Sequence, residues 1–159
     1  MQRIDTLIVG AFTIFLGLAA GFFFAFTNPT MMGFAHTSPE TYVEAMREIN
    51  RAVRNVWFLL VFAGTLVLGA LAVWRSRLHW PVVAAFVAYL AAVVLTQMVN
   101  VPMNDAMEVW TAETTPPAPE IEAFRMRWMA FNTYRMWLSI AGFAVLVLFA
   151  MPRRSEIVR

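Results

Sequence analysis

Four amides and one guanidinium, Asn50, Asn100, Asn104, Asn132 and Arg135, stand where apolar runs meet polar ones and could either hold a polar ligand or tie helices together. The densest of these places is TQMVNVPMND, Thr96 to Asp105. On a helix Thr96 and Asn100 stack one turn apart, and Gln97, Asn100 and Asn104 follow spacings that put their amides on one face. Pro102 lacks an N–H and biases Val101 away from the α region, so the spacing predicts that the helix ends there and leaves free carbonyls beside the asparagines. Asn132 and Arg135 continue a stripe that begins apolar with Ile121, Phe124 and Trp128 and turns polar at its membrane end. Asn50 interrupts a second apolar stripe, Val43, Met46, Val53 and Trp57, and an amide there must be buried against a partner. An arginine at such depth pairs or points into a cavity, and ionisable residues inside membranes mark functional sites by default. Two readings stay open: a hydrogen-bonded clamp across the bundle, or a ligand site.

Metal chemistry finds less support. A facial triad needs two histidines and a carboxylate, whereas His36 and His79 fall on opposite sides of the membrane, and the absence of cysteine removes thiolate ligands. Met31, Met32, Met98, Met103, Met107, Met126 and Met129 gather toward one end, which suits Cu(I), an adaptable wall for a flat ligand, or plain core filling. Haem held through His36 would lack any attachment motif.

The elements that position these groups are membrane helices. The chain has 159 residues, of which 60% are hydrophobic and 14% charged, outside the balance of soluble domains. A net charge of +2, thinly spread, gives no reason to expect a nucleic-acid partner. Span lengths and breakers predict a single all-α membrane domain, a four-helix bundle. Its spans are 4–27, 56–73, 81–101 and 135–151, with outer segments 28–55 and 102–134, an inner loop 74–80 and a tail 152–159. Asn28-Pro29 is expected to stop the first helix, and Ser38-Pro39 to cap the next. From Pro39 to Val73 only glycines interrupt the pattern, so helices two and four should extend beyond the bilayer into a head. Gly17 and Gly21 form a GxxxG that could seat a neighbouring helix. Trp57, Trp110, Trp128 and Trp137 would mark the outer interface, with Trp128 also able to stack on a ligand; Trp74 and Trp80 would mark the inner one. Arg3, Arg75, Arg77, Arg153, Arg154 and Arg159 lie at termini and in a short loop, the context in which positive charge is retained inside. Both termini are therefore expected in the cytoplasm of a bacterial inner membrane. At that register Asn50, Asn55, Asn100, Asn104, Asn132 and Arg135 share one level.

Four blocks carry a family resemblance: GFFFAF at Gly21 to Phe26, MREIN at Met46 to Asn50, TQMVNVPMND, and RWMAFNTYR at Arg127 to Arg135. Together they resemble the anthrone-oxygenase-like integral membrane family, whose fungal members are associated with oxidising anthrones to anthraquinones with O2. The resemblance implies a site that supplies a base, an oxyanion partner and a flat apolar pocket. Arg135 or Arg127 would hold a phenolate or enolate oxygen, and Asn50, Asn100, Asn104 and Asn132 would fix orientation. His36 or Asp105 would be the base, although His36 equally reads as a loop bystander and Asp105 as a cap or an arginine partner. O2 would be the co-substrate, with no metal and no organic cofactor required. A second class of function stays open: a non-catalytic accessory subunit of a membrane complex, or a lipid or quinone binder, with a homo-oligomer as a further arrangement. A transporter fits less well, because four helices without a mid-membrane charge offer no pathway.

Overall fold

The computed structural model describes residues 3–111 and 114–150, and every regular element among them is helical. Helix α1 spans Arg3–Ala25, α2 Met31–Phe34, α3 Pro39–Ala52, α4 Val56–Arg75, α5 Trp80–Leu95, α6 Val101–Glu108 and α7 Ala118–Val145. Single π-helical turns at Phe26–Thr30 and Thr96–Asn100 join α1 to α2 and α5 to α6, and a third at Leu146–Ala150 extends α7. Four continuous stretches are long and apolar enough to cross a membrane, Ile4–Phe34, Val56–Arg75, Trp80–Glu108 and Ala118–Phe149. The protein is a multi-pass, all-α membrane bundle of four long helices. The tail, with Arg153, Arg154 and Arg159, lies outside the described residues.

Neither proline ends its helix as the sequence predicts. At Pro29 the lost N–H would strand carbonyls of the preceding turn, but Asn28 Nδ2 donates to the Phe24 carbonyl at 3.3 Å and Thr30 Oγ1 donates to that of Ala25 at 3.1 Å. Side chains and a widened turn thus take up what the proline frees, the usual accommodation inside membranes. Pro102 sits in the first turn of α6, just after the other π turn, so the helix runs on to Glu108. The converse error occurs between α3 and α4, where the expected continuous helix is broken at Val53 to Asn55. Asn55 is extended (φ −120°, ψ 167°), and its Oδ1 accepts from the backbone N–H of Trp57 and Phe58 at 2.9 and 3.0 Å. An asparagine placed just before an apolar run is an N-cap, and the cap starts a new helix at a new angle.

Within the bundle α7 packs against α5 and α1, while α4 leans mainly on α1. Val9, Phe12, Leu16, Val82, Tyr89 and Leu146 fill the core between them. The Asp5–Arg75 ion pair at 2.8 Å and the Trp80–Phe149 ring contact at 5.6 Å gather the start of α1, the α4–α5 turn and the end of α7 at one end. At the other end α2, α3, α6 and the start of α7 form the head, packed around Met31, Tyr42, Met46, Met103, Met107 and Ile121. Four of the methionines are therefore core filler. Burial pushes the Tyr42 phenol well above the usual tyrosine range, so it serves there as an uncharged ring.

The GxxxG pair does not seat a helix backbone. Gly17 accommodates the Phe143 ring, which would lie 2.9 Å from an added Cβ, and Gly21 meets nothing within 4 Å. The close backbone approach is at Gly142, whose added Cβ would stand 3.1 Å from the Ala85 carbonyl oxygen. That oxygen cannot rotate away as a side chain would. Gly142→Ala is therefore expected to destabilise the fold by about 1–3 kcal/mol, and Gly21→Ala to leave it unchanged. Thermal unfolding of the two variants in detergent checks this, and equal midpoints would show that α5 and α7 are not in tight contact.

Candidate functional site

The widened turn at Thr96–Asn100 and the inner face of α7 bring the polar residues together. Arg135 is only 5% exposed. Its Nη2 donates to Asn132 Oδ1 at 2.6 Å and its Nη1 to Thr96 Oγ1 at 3.1 Å, while its buried Nε has no partner. The Thr96 hydroxyl donates to the Ala92 carbonyl at 2.8 Å, which leaves its oxygen free to accept from the guanidinium. Asn132 completes the link to α1, donating through Nδ2 to the Phe23 carbonyl at 3.2 Å and to Thr27 Oγ1 at 2.7 Å. The guanidinium carbon stands 4.8 Å from the Phe23 ring centre and 5.5 Å from that of Trp128. These two faces offer a cation partial compensation. What it lacks is a counterion: the ion pairs among the described residues join Arg51, Arg54, Arg75 and Arg125 to carboxylates and leave Arg135 out.

Around this group lies a cavity of about 830 Å³, within the size range of small-molecule sites. Phe22, Phe23, Phe26, Phe58, Phe62 and Trp128 give it aromatic walls; Asn50, Thr96, Gln97, Asn104, Asn132 and Arg135 give it polar ones. Trp128 is buried rather than interfacial, its indole N–H donating to Asn104 Oδ1 at 2.7 Å. Trp57, Trp74, Trp80 and Trp137 do face outward from the bundle. Asn100 stands behind the wall, its Nδ2 donating to the Trp128 carbonyl at 3.4 Å, with Oδ1 buried and unpartnered. Asn50 is buried too, and its Nδ2 has no partner. The unpartnered Nδ2 of Asn50, on the lining of a cavity that holds a cation without a counterion, is hydrogen-bonding capacity left for a guest.

Asp105 lines the same cavity at its rim, where it pairs with Arg54 at 2.9 Å, both side chains being well exposed. The structure separates two other sequence candidates from this cluster. His36 is exposed in the loop between α2 and α3 and does not line the cavity. Arg127 is exposed on another face of α7, in a shallow groove with Met98, Pro102 and Phe124. The aromatic walls and Arg54 were missed in the sequence, although GFFFAF at Gly21 to Phe26 and the one-turn spacing of Phe58 and Phe62 carry a signal. Among the described residues no three of His, Asp and Glu converge on a common point.

A family model described as anthrone oxygenase matches residues 46–145, from the second half of α3 to the end of α7. No curated protein and no solved structure matches the chain.

Proposed function

The chain belongs to the anthrone oxygenase family, and from that premise we propose that its cavity binds a planar lipophilic aromatic, phenolic or quinone-like molecule and oxidises it with O2. The observation that carries this reading is Arg135: a buried cation without a carboxylate, facing aromatic walls. Leaving a charge uncompensated in such a place is costly, and a ligand oxyanion removes the cost. The same contact supplies catalysis, because a guanidinium held in advance by Asn132 and Thr96 stabilises negative charge as it forms on oxygen.

For a ring methylene conjugated to a carbonyl, the chemistry is as follows. A base takes one C–H proton, and the electron pair moves to the carbonyl oxygen, where Arg135 holds the enolate. The enolate passes one electron to O2, the two radicals join at the former methylene carbon, and protonation gives a hydroperoxide. Loss of water, with the second C–H proton, leaves a new carbonyl. One oxygen atom of O2 enters the product and the other leaves as water. Asp105 is the sole carboxylate lining the cavity among the described residues, which makes it the base of this scheme.

Oxygen uptake by the purified protein in nanodiscs, with an anthrone or a lipophilic hydroquinone as probe, tests the reading. With labelled O2 the new carbonyl of an anthrone product carries the label, and label arriving from water instead would overturn the scheme. Asp105→Asn is expected to slow turnover by about 10²-fold without loss of ligand affinity. It also removes the exposed pair with Arg54, a loss of under about 1 kcal/mol, so the fold survives. The charge pattern of the short Arg75 and Arg77 turn supports termini in the cytoplasm of a bacterial inner membrane, with the cavity in the opposite leaflet.

A second reading rests on the same hydrogen bonds. Asn132 and Arg135 tie α1, α7 and the π turn after α5 together, as a clamp in a non-catalytic subunit or lipid binder would. The two readings part company when Arg135 is given an internal counterion.

A further inference from the structure

Beside the polar cavity lies a second chamber of about 480 Å³ between the outer halves of α1 and α4. Phe22, Phe23, Phe26, Ile49, Val53, Asn55, Phe58 and Phe62 line both spaces, so the partition is one side chain thick. Its middle is the Phe22–Phe58 contact, ring centres 5.1 Å apart, which bridges the two helices. The residues found only in the second chamber are Leu18, Ala19, Ala52, Trp57 and Val61. Besides the Trp57 indole at its exposed edge its one polar side chain is Asn55, and both ends of that amide are engaged, Oδ1 capping α4 and Nδ2 donating to the Ala52 carbonyl at 2.7 Å. Away from that edge the chamber's side chains therefore leave a guest no free hydrogen-bonding group. Leu18 and Trp57 at its edge are 53% and 74% exposed, which sets it open toward the lipid.

We propose that this chamber holds the hydrocarbon tail of the molecule whose acidic ring oxygen sits on Arg135, so that the ligand is an alkyl-tailed aromatic held in the bilayer. This rests on the reading of the polar cavity as a ligand site. A tailed ring entering from lipid must bring its tail inside or leave it in a lateral opening, and moving apolar chain between lipid and an apolar wall costs little. The shared aromatic partition lets ring and tail occupy adjoining spaces: polar groups converge on the ring side, and Leu18, Ala19, Ala52 and Val61 add aliphatic surface on the tail side.

Two probes test this on the full chain in nanodiscs: a hydroquinone bearing an alkyl chain with a terminal diazirine, and its untailed parent. Tail-end labelling is expected at Leu18, Ala52 or Val61. Ala52→Trp, and Leu18→Trp as a second variant, fill the chamber at exposed positions and are expected to weaken the tailed probe tenfold or more relative to the parent. Labelling confined to the opposite mouth near Leu59 and Val101, or equal loss for both probes in both variants, would overturn the proposal. If only bulk lipid is found in the chamber while the ring still binds, the tail assignment also fails and the ligand-site reading stands. Failure of both probes to bind the unaltered protein would instead sink that reading.

Discussion

Arg135→Gln is expected to lower kcat/KM for oxygenation, and affinity for an anionic aromatic ligand, by about 10²–10³-fold, the scale of losing a preorganised oxyanion donor. The fold should survive and can gain stability. Glutamine keeps a donor and an acceptor near Asn132 and Thr96 while removing a buried cation for which the protein supplies no carboxylate. Arg135→Lys separates charge from geometry. A lysine retains the positive charge, but one ammonium cannot reproduce the planar fork that spans Asn132 and Thr96 and lies over the Phe23 face. Its activity should fall between the other two. Steady-state kinetics and ligand titration, run beside thermal unfolding, measure both sides of the claim. A large drop in melting temperature with unchanged affinity would show that Arg135 is there to hold helices.

Much of this arrangement is legible in the sequence because membrane helices are written in long apolar runs and buried polar residues in them are few. Of the stripe Ile121, Phe124, Trp128, Asn132 and Arg135, all but the half-buried Phe124 face inward and are at most 5% exposed, since helical spacing dictates a shared face. Asn50 is buried for the same reason. The prolines mislead because a π turn adjoins each of them: at Pro29 Asn28 and Thr30 take up the freed carbonyls, and Pro102 falls in the first turn of α6, where a missing N–H is tolerated. Asn55 misleads in the opposite sense: with no proline beside it the run from Pro39 to Val73 reads as one helix, yet its cap geometry ends α3 and begins α4. Asn50, on α3 just before that break, lines the cavity. His36 and Arg127 could not be placed by composition, because exposure in a loop and rotation about α7 depend on packing that spacing does not specify. Chamber walls are harder still. Phenylalanine in a membrane helix looks the same whether it faces lipid, a neighbour or a cavity, and only the contacts of Phe22 with Phe58 and of Phe23 with Arg135 distinguish these cases.

Asn132→Asp gives the sharpest separation of clamp from ligand site, because it changes charge at the atom already 2.6 Å from Arg135 Nη2. An aspartate there supplies the counterion the wild-type protein withholds. Its carboxylate keeps the tie to Arg135 as an ion pair and can still accept from the Thr27 hydroxyl, which rotates to donate. What is lost is the bond to the Phe23 carbonyl, whose oxygen then faces a carboxylate oxygen; interhelical hydrogen bonds in membranes contribute about 0.6 kcal/mol on average, and the new ion pair with Arg135 opposes the added repulsion. The fold should therefore be retained, whereas Asn132→Leu removes all three contacts and should lower stability outright. For a clamp, the aspartate variant would behave as the wild type or better. For a ligand site the guanidinium is already neutralised, so an oxyanion gains nothing by approaching it and meets a carboxylate besides. Affinity for an anionic aromatic probe should then fall about 100-fold or more, although every helix remains in place. Binding and thermal unfolding measured on the same preparation decide the matter, since a stable fold with normal binding belongs to the clamp and a stable fold with none belongs to the site.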